Sequence, residues 1–146
     1  MAYFTYDTSV CISRKLTDFQ NMPANFLLSA IVIMELMAGD PNESRRKFFA
    51  EVFRQFQKDN LMIVPSADDW LLAAKVLHLL THARRRSQGR LQKLPPGASQ
   101  RLALDVLIAV SARRWKAQVV TENWTDFKVI QRYCNATIIK AATFFR

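Results

Sequence analysis

Five short apolar runs alternate along this chain with longer stretches of helical periodicity, and that alternation leaves few ways to fold. The runs are Ala2–Tyr6, Phe26–Ser29, Leu61–Val64, Gln118–Thr121 and Ala136–Ile139. Strands separated by helices pair in parallel, because the crossover brings the chain back in the same direction. Only three glycines and five prolines interrupt the pattern, so each marks a boundary. Ser29 stands where it would cap a helix from Ala30 to Ala38, with Gly39 closing it. Asp40-Pro41-Asn42-Glu43 reads as a second start, with Asp40 as the cap. The helix that follows carries Phe48, Phe49, Val52, Phe53 and Phe56 on one face. Ser66-Ala67-Asp68-Asp69 opens a third helix through Trp70, Leu71, Ala74, Leu77 and Leu80. Arg101–Trp115 and Trp124–Tyr133 are the last two. The expectation is an α/β fold: a central, mostly parallel five-stranded sheet with helices on both faces, in one domain spanning residues 1–146.

Charge narrows the partner. Lys and Arg number 21 against 12 Asp and Glu, a formal +9. From Trp70 to Leu104 there is no acid beyond the helix start, while Lys75, Arg84, Arg85, Arg86, Arg90, Lys93 and Arg101 supply most of that excess. The segment at about 84–101 contains Pro-Pro-Gly and reads as a basic loop. A cluster of this kind attracts backbone phosphates whatever the base sequence, which makes Arg84, Arg85, Arg86, Arg90, Lys93 and Arg101 candidate RNA contacts. A solvated loop or a docking surface for an acidic protein would read the same way.

Several classes fall away. Cys11 and Cys134 are far apart and form no CxxC pair, so no zinc site can be read from them. The first residues carry no basic region followed by an apolar core, and the best apolar stretch, Phe26–Ala38, is 13 residues and includes Glu35. That is too short to span a bilayer, so no membrane association and a cytoplasmic location are expected. Gly39, Gly89 and Gly97 are isolated and build no phosphate loop. His78 and His82 lie one helical turn apart, with no acid beside them to complete a metal site.

With only 12 acids present, their positions are informative. Asp7 ends the first strand, on the rim where open parallel sheets bind ligands; it would also cap a following helix. Glu35 interrupts Ala-Ile-Val-Ile-Met-Glu-Leu-Met-Ala, a run apolar on every face, with no Lys or Arg within a turn. An ionised carboxylate buried there costs several kcal/mol unless a cation compensates it or the side chain reaches solvent. Asp105 repeats the anomaly in Leu-Ala-Leu-Asp-Val-Leu-Ile-Ala-Val, or else serves the dipole of its helix. Asp126 follows the fourth strand, three residues after Asn123, a spacing that also fits a capping box. If the four meet on one rim, each pair about 4 Å apart repels by about 4 kcal/mol at an effective dielectric near 20. Several such pairs exceed what a marginally stable domain tolerates, so protons or a divalent cation must intervene. Carboxylates without His or Cys select Mg²⁺ or Mn²⁺ over zinc.

The ordered set of segments resembles the PIN-domain nucleases, most closely the VapC-type toxins of bacterial toxin–antitoxin modules. The matching pieces are Tyr6-Asp7-Thr8-Ser9, Ser29–Leu36 ending at Gly39, Leu104–Ala109, and Thr121-Glu122-Asn123-Trp124-Thr125-Asp126-Phe127. The resemblance implies a PIN-like three-layer fold in which Asp7, Glu35, Asp105 and Asp126 form a metal-binding, catalytic acidic quartet. Thr8, Thr121 and Asn123 would line it. The last acid shifts among such proteins, which leaves Glu122 as a substitute for Asp126. It further implies a Mg²⁺- or Mn²⁺-dependent endoribonuclease, a cognate VapB-type antitoxin as partner, and a homodimer. Two other functions stay open on the same residues: a non-catalytic module that binds RNA or protein, and a nuclease acting on DNA.

Overall fold

A computed structural model describes residues 2–88 and 98–146, with side chains at 2–82 and 99–146. Its centre is β4 (Gln118–Thr121), whose Val119 and Val120 are wholly buried, as a strand covered on both faces requires. β1 (Phe4–Tyr6) pairs with it in parallel, Phe4 opposite Gln118, and β5 (Thr137–Lys140) pairs on its other side, Gln118 opposite Thr137. β2 (Leu28–Ser29) and β3 (Met62–Ile63) form a second parallel pair. A single bridge, Phe4 to Phe26, joins the two ladders, with Leu27 N–H donating to the Phe4 carbonyl at 2.9 Å. The order is therefore β3-β2-β1-β4-β5, all parallel. The five-stranded sheet forms as expected, but its middle seam is reduced to one residue. β1 is only three residues long, and it meets the chain two residues before β2 begins.

Helices flank this sheet. α1 (Thr8–Ser13) follows β1, α2 (Ala30–Gly39) follows β2, and α3 (Glu43–Lys58) leads back to β3. α4 (Ala67–Gln88) and α5 (Ala98–Arg114) bring the chain to β4, and α6 (Trp124–Cys134) to β5; α7 (Ala141–Phe144) ends the fold. α5 is the central helix. Val106 through Val110 are all buried, and it packs on α2, α4, α6, β4 and β5. The run around Asp105 is thus a central helix, whereas α2, around Glu35, buries one side and leaves Met34, Ala38 and Gly39 exposed. No helix among the described residues is long and apolar enough to cross a membrane.

Local chemistry sets most boundaries. The Ser66–Asp69 capping box forms reciprocally: Asp69 N–H donates to Ser66 Oγ at 3.1 Å and Ser66 N–H to Asp69 Oδ2 at 2.9 Å. Lys15, Asn60 and Lys116 take left-handed backbone just beyond α1, α3 and α5, with φ of 54°, 57° and 56°. Each closes its helix with paired 6→1 and 5→2 hydrogen bonds, such as Leu16 N–H to the Cys11 carbonyl and Lys15 N–H to Ile12.

Three expectations need correction. Ser29 sits at the N-cap of α2, but its hydroxyl makes no cap bond and is buried without a partner. The cap of α3 is Asn42, whose side chain accepts from Arg45 N–H at 2.9 Å, while Asp40 instead takes Asn42 N–H at 2.9 Å. The core-facing stripe of α4 is Asp69, Ala73, Val76 and Leu80; Trp70 and Leu71 are 59% and 57% exposed. Of the apolar residues read along this helix, Leu77 and Leu80 pack on the core and Trp70 and Leu71 do not. Finally, α4 runs through Arg84–Gln88 and α5 begins at Ala98, so helix covers both ends of the segment read as a loop. Arg90 and Lys93 lie outside the described residues.

Asp69 has a second task. Its Oδ2 accepts from Arg114 Nε at 2.9 Å, and Arg114 Nη2 reaches the Val64 carbonyl at 2.7 Å. That ties the start of α4 to the end of α5. Asp69→Ala removes a cap worth about 1 kcal/mol and a charge-assisted bond worth about 1.5 kcal/mol. A loss of about 2–3 kcal/mol in denaturant unfolding is expected, with Asp69→Asn losing less because an amide still caps.

Candidate active site

Asp7 closes β1 and caps α1, so the cap reading holds, and the residue stands at the carboxyl end of its strand. Its Oδ1 accepts from Ser9 Oγ at 2.7 Å and from Val10 N–H at 3.1 Å, and its Oδ2 accepts from Thr121 Oγ1 at 2.6 Å. The side chain is 2% exposed. Burial pushes its pKa up, the three hydrogen bonds pull it back, and the charge of Glu122 adds to the rise. Thr121 sits at the end of β4, and its hydroxyl also accepts Asn123 N–H at 2.8 Å. Adjacent parallel strands thus deliver Asp7 and Thr121 to one rim in direct contact.

Glu35 lies on α2, half-buried, and accepts from Thr8 Oγ1 at 2.8 Å. Burial raises its pKa, the Thr8 bond lowers it, and Asp7 raises it further. Asp105 lies in the middle of α5, too far from its first turn to serve the helix dipole, and is the most perturbed acid. Its pKa is pushed up to about 7 by burial first, then by Asp7, Glu35 and Asp126; only Arg101, one turn earlier, pulls it down. Among the described residues no hydrogen bond or ion pair reaches its carboxylate. A lone half-buried carboxylate facing three others is costly, and the raised pKa expresses that cost.

Asp126 is exposed in the first turn of α6 and accepts from Asn123 Nδ2 at 3.0 Å. The capping-box reading of this pair is not realised: Asn123 occupies the N-cap position without a side-chain cap bond and uses its amide to orient Asp126. Glu122 is engaged elsewhere. It pairs with Arg14 Nε at 2.6 Å, and Arg14 lies over the Phe145 ring at 4.6 Å. Arg14 and Ser9 were not singled out by residue pattern, yet Ser9 bonds Asp7 and takes Glu122 N–H at 3.2 Å. Contacts spanning more than 100 residues leave no local signal.

The structure brings Asp7, Thr8, Glu35, Asp105, Thr121, Asn123 and Asp126 to one rim through these bonds and charge contacts. Arg101 joins them, exposed on α5. Arg84, Arg85 and Arg86 lie on the last turns of α4. The donors are hard oxygens without sulfur or nitrogen, and their mutual repulsion is uncompensated, which fits Mg²⁺ or Mn²⁺. Among the described residues no three acids, histidines or cysteines converge into a finished metal cage. The site is therefore a set of carboxylates near enough to raise the pKa of Asp105 but not gathered around one point. His78 and His82 stack at 5.8 Å on α4, away from these acids, and supply only two nitrogens. Both cysteines are buried, and burial pushes the Cys11 thiol up to about 12, so thiol chemistry has no place here.

Neither a family model nor a curated protein sequence matches the chain. Its structure does have relatives. It superimposes on a chain of VapBC2 from Rickettsia felis, solved with a fragment of promoter DNA, with TM-score 0.53, 20% identity, and coverage of 96% of this chain and 98% of that one. A chain of VapBC-1 from nontypeable Haemophilus influenzae gives 0.55, 20%, 97% and 99%. A chain of DNA-bound VapBC from Salmonella typhimurium gives the same four values. This chain has the fold of a VapC-like PIN domain. In the PIN fold, the rim holding Asp7 and Thr121 is the carboxyl edge of the central strands, where α/β sheets place their ligands.

Proposed function

We propose that this chain is a Mg²⁺- or Mn²⁺-dependent endoribonuclease and the toxin of a toxin–antitoxin pair. The observation that carries the proposal is the gathering of acids around Asp105 from four separate parts of a PIN fold. Asp7, Glu35, Asp105 and Asp126 are the proposed ligands and catalytic residues. Held by these carboxylates, a divalent ion would supply charge to activate water and stabilise the departing oxygen. In the hydrolysis a water oxygen bonds to phosphorus, the bond from phosphorus to one ribose oxygen breaks, and that oxygen takes a proton. Ser9, Val10 and Thr121 fix the Asp7 carboxylate in one orientation, and Thr8 does the same for Glu35. Asn123 sets Asp126. Such prior fixing lets the ligands act without reorganising during the reaction.

The basic segment supports a polyanionic substrate. Arg84, Arg85, Arg86, Arg90, Lys93 and Arg101 are proposed to hold RNA phosphates flanking the acids. Replacing Arg84, Arg85 and Arg86 together by Ala is expected to weaken RNA binding and to flatten its log–log salt slope by about 2, from about 0.7 per contact on a single strand. An unchanged slope in fluorescence anisotropy would remove these residues from the interface.

A VapB-type antitoxin is the proposed protein partner, since the structural relatives are chains of VapBC complexes. A groove of about 440 Å³ between α2 and α3, lined by Ile33, Met34, Met37 and Phe53, offers it an apolar seat. Met34 is 48% exposed there. The proposal includes a homodimer working in the cytoplasm as one 146-residue domain. The deciding experiment is cleavage of total RNA, with DNA in parallel, in Mn²⁺ and in EDTA. Mn²⁺-dependent RNA cutting supports the reading; cutting of DNA alone changes the substrate; no cutting in either leaves a binding module.

A further inference from the structure

A cleft of about 480 Å³ opens between α1, the end of α2 and the start of α3, and Glu35 belongs to its wall. Leu36 and Phe49 give it a buried apolar lining, and Ile12, 66% exposed, extends that lining toward solvent. Two cations, Lys15 and Arg45, stand at its edge. Arg45 is held by Asp40 at 3.3 Å, whereas Lys15 pairs with no acid among the described residues. The volume suits a small ligand, and an apolar lining with a few fixed polar groups is how such sites are built. Glu35 faces the cleft and also the proposed cleavage site, so a chain whose phosphate reaches the acids has its next nucleotide beside this opening.

We infer that the cleft is a subsite for one nucleotide of the RNA substrate, taking the base against Ile12, Leu36 and Phe49 and a phosphate at Lys15. The inference deepens the endoribonuclease reading and rests on it. A lysine unpaired among the described residues, beside an apolar slot, matches a base and its phosphate, and the two acids of the wall, Glu35 and Asp40, are already bonded to Thr8 and Arg45. The groove between α2 and α3 also carries a cation without an acid partner among the described residues, Arg46, but that guanidinium is bound to the Asp40 carbonyl at 2.8 Å, and none of the proposed acids lines the groove. Occupation by a base makes cleavage depend on the identity of one neighbouring nucleotide, through the fit of that base and not through the metal site.

Two features of the backbone supply the test. A Cβ built on Gly39 meets no heavy atom within 4 Å, so Gly39→Leu narrows the cleft without strain in the fold. Lys15 occupies a left-handed position where Gly is the usual residue, and Lys116 occupies the same kind of position after α5, outside the cleft. Lys15→Gly and Lys116→Gly should therefore both raise the melting temperature, while only the first weakens RNA binding, by roughly fivefold for one phosphate contact.

The experiment maps cut sites in a randomised RNA pool in Mn²⁺ and measures anisotropy of the same pool in EDTA, for the wild type and the three variants. The wild type should prefer particular bases at one position beside the cut, and Gly39→Leu should lower that preference by about tenfold. Cutting without base preference, a preference untouched by Gly39→Leu, or equal binding by the two glycine variants overturns the subsite. A variant Gly39→Leu that handles RNA normally but no longer holds a co-expressed antitoxin assigns the cleft to the protein partner instead. Wild-type protein that binds RNA through Lys15 yet cuts none overturns the nuclease reading and keeps the nucleotide site.

Discussion

Asp7→Asn is expected to cut divalent-dependent RNA cleavage by at least about 100-fold while leaving the protein folded. Altering a residue that merely supports a metal ligand costs 10–100-fold, and a direct ligand should cost more. The fold survives because asparagine keeps most of what the carboxylate does structurally. Its carbonyl oxygen still accepts from Ser9 Oγ and Val10 N–H, and Asn caps helices about as well as Asp. Its amide replaces the acceptor facing Thr121 Oγ1, and that hydroxyl can turn to accept. Burial already disfavours the ionised form of Asp7, so removing the charge offsets part of any lost hydrogen bonding. Circular dichroism and melting should match the wild type to within a few degrees. Cleavage within a few-fold of wild type by folded Asp7→Asn would end the enzymatic reading.

Asp105→Asn should make the protein more stable at neutral pH in EDTA and less able to respond to Mn²⁺. In the unfolded chain an Asp ionises near 3.8; in the fold Asp105 does so at about 7. Between those values the folded protein binds a proton that the unfolded chain has released. Its contribution to stability is therefore fully present below about pH 4 and is lost as pH rises through about 7. About three units correspond to a ceiling of about 4 kcal/mol, of which side-chain relaxation leaves a part. The amide has no charge to repel Asp7, Glu35 and Asp126, so the variant escapes this loss. Melting curves should diverge with the variant higher at pH 8, and converge near pH 4. Saturation at 100 times the dissociation constant of Mn²⁺ should raise the wild type by about 2.7 kcal/mol and the variant by much less. A wild type at least as stable as the variant at pH 8 in EDTA would show that the acids do not repel one another.

Both results concern residues that stand out in the amino-acid order. Asp7 ends the first apolar run, and Asp105, like Glu35, breaks a continuous one, where a carboxylate demands compensation wherever the helix lies. The capping box at Ser66 and Asp69 is equally local, since two residues three apart satisfy each other. Where local signals compete, reading along the chain goes astray. Asp40 and Asn42 are both good caps, and only the helix geometry selects Asn42. Trp70 and Leu71 are apolar, yet the packing of α4 on α5 turns Ala73 and Val76 inward instead.

Chain order alone marks the five strands, the five longer helices and their alternation, because hydrogen-bond periodicity, capping and apolar spacing act over a few residues; it misses the short α7 and the helix at both ends of the basic segment. It also marks four acids as anomalous. The fold alone decides that Asp7 meets Thr121 across 114 positions, that Glu122 turns to Arg14, that Asp105 is held at about 7, and that a cleft opens beside Glu35. Burial and Coulomb repulsion depend on distance through space, and no spacing along a backbone encodes that distance.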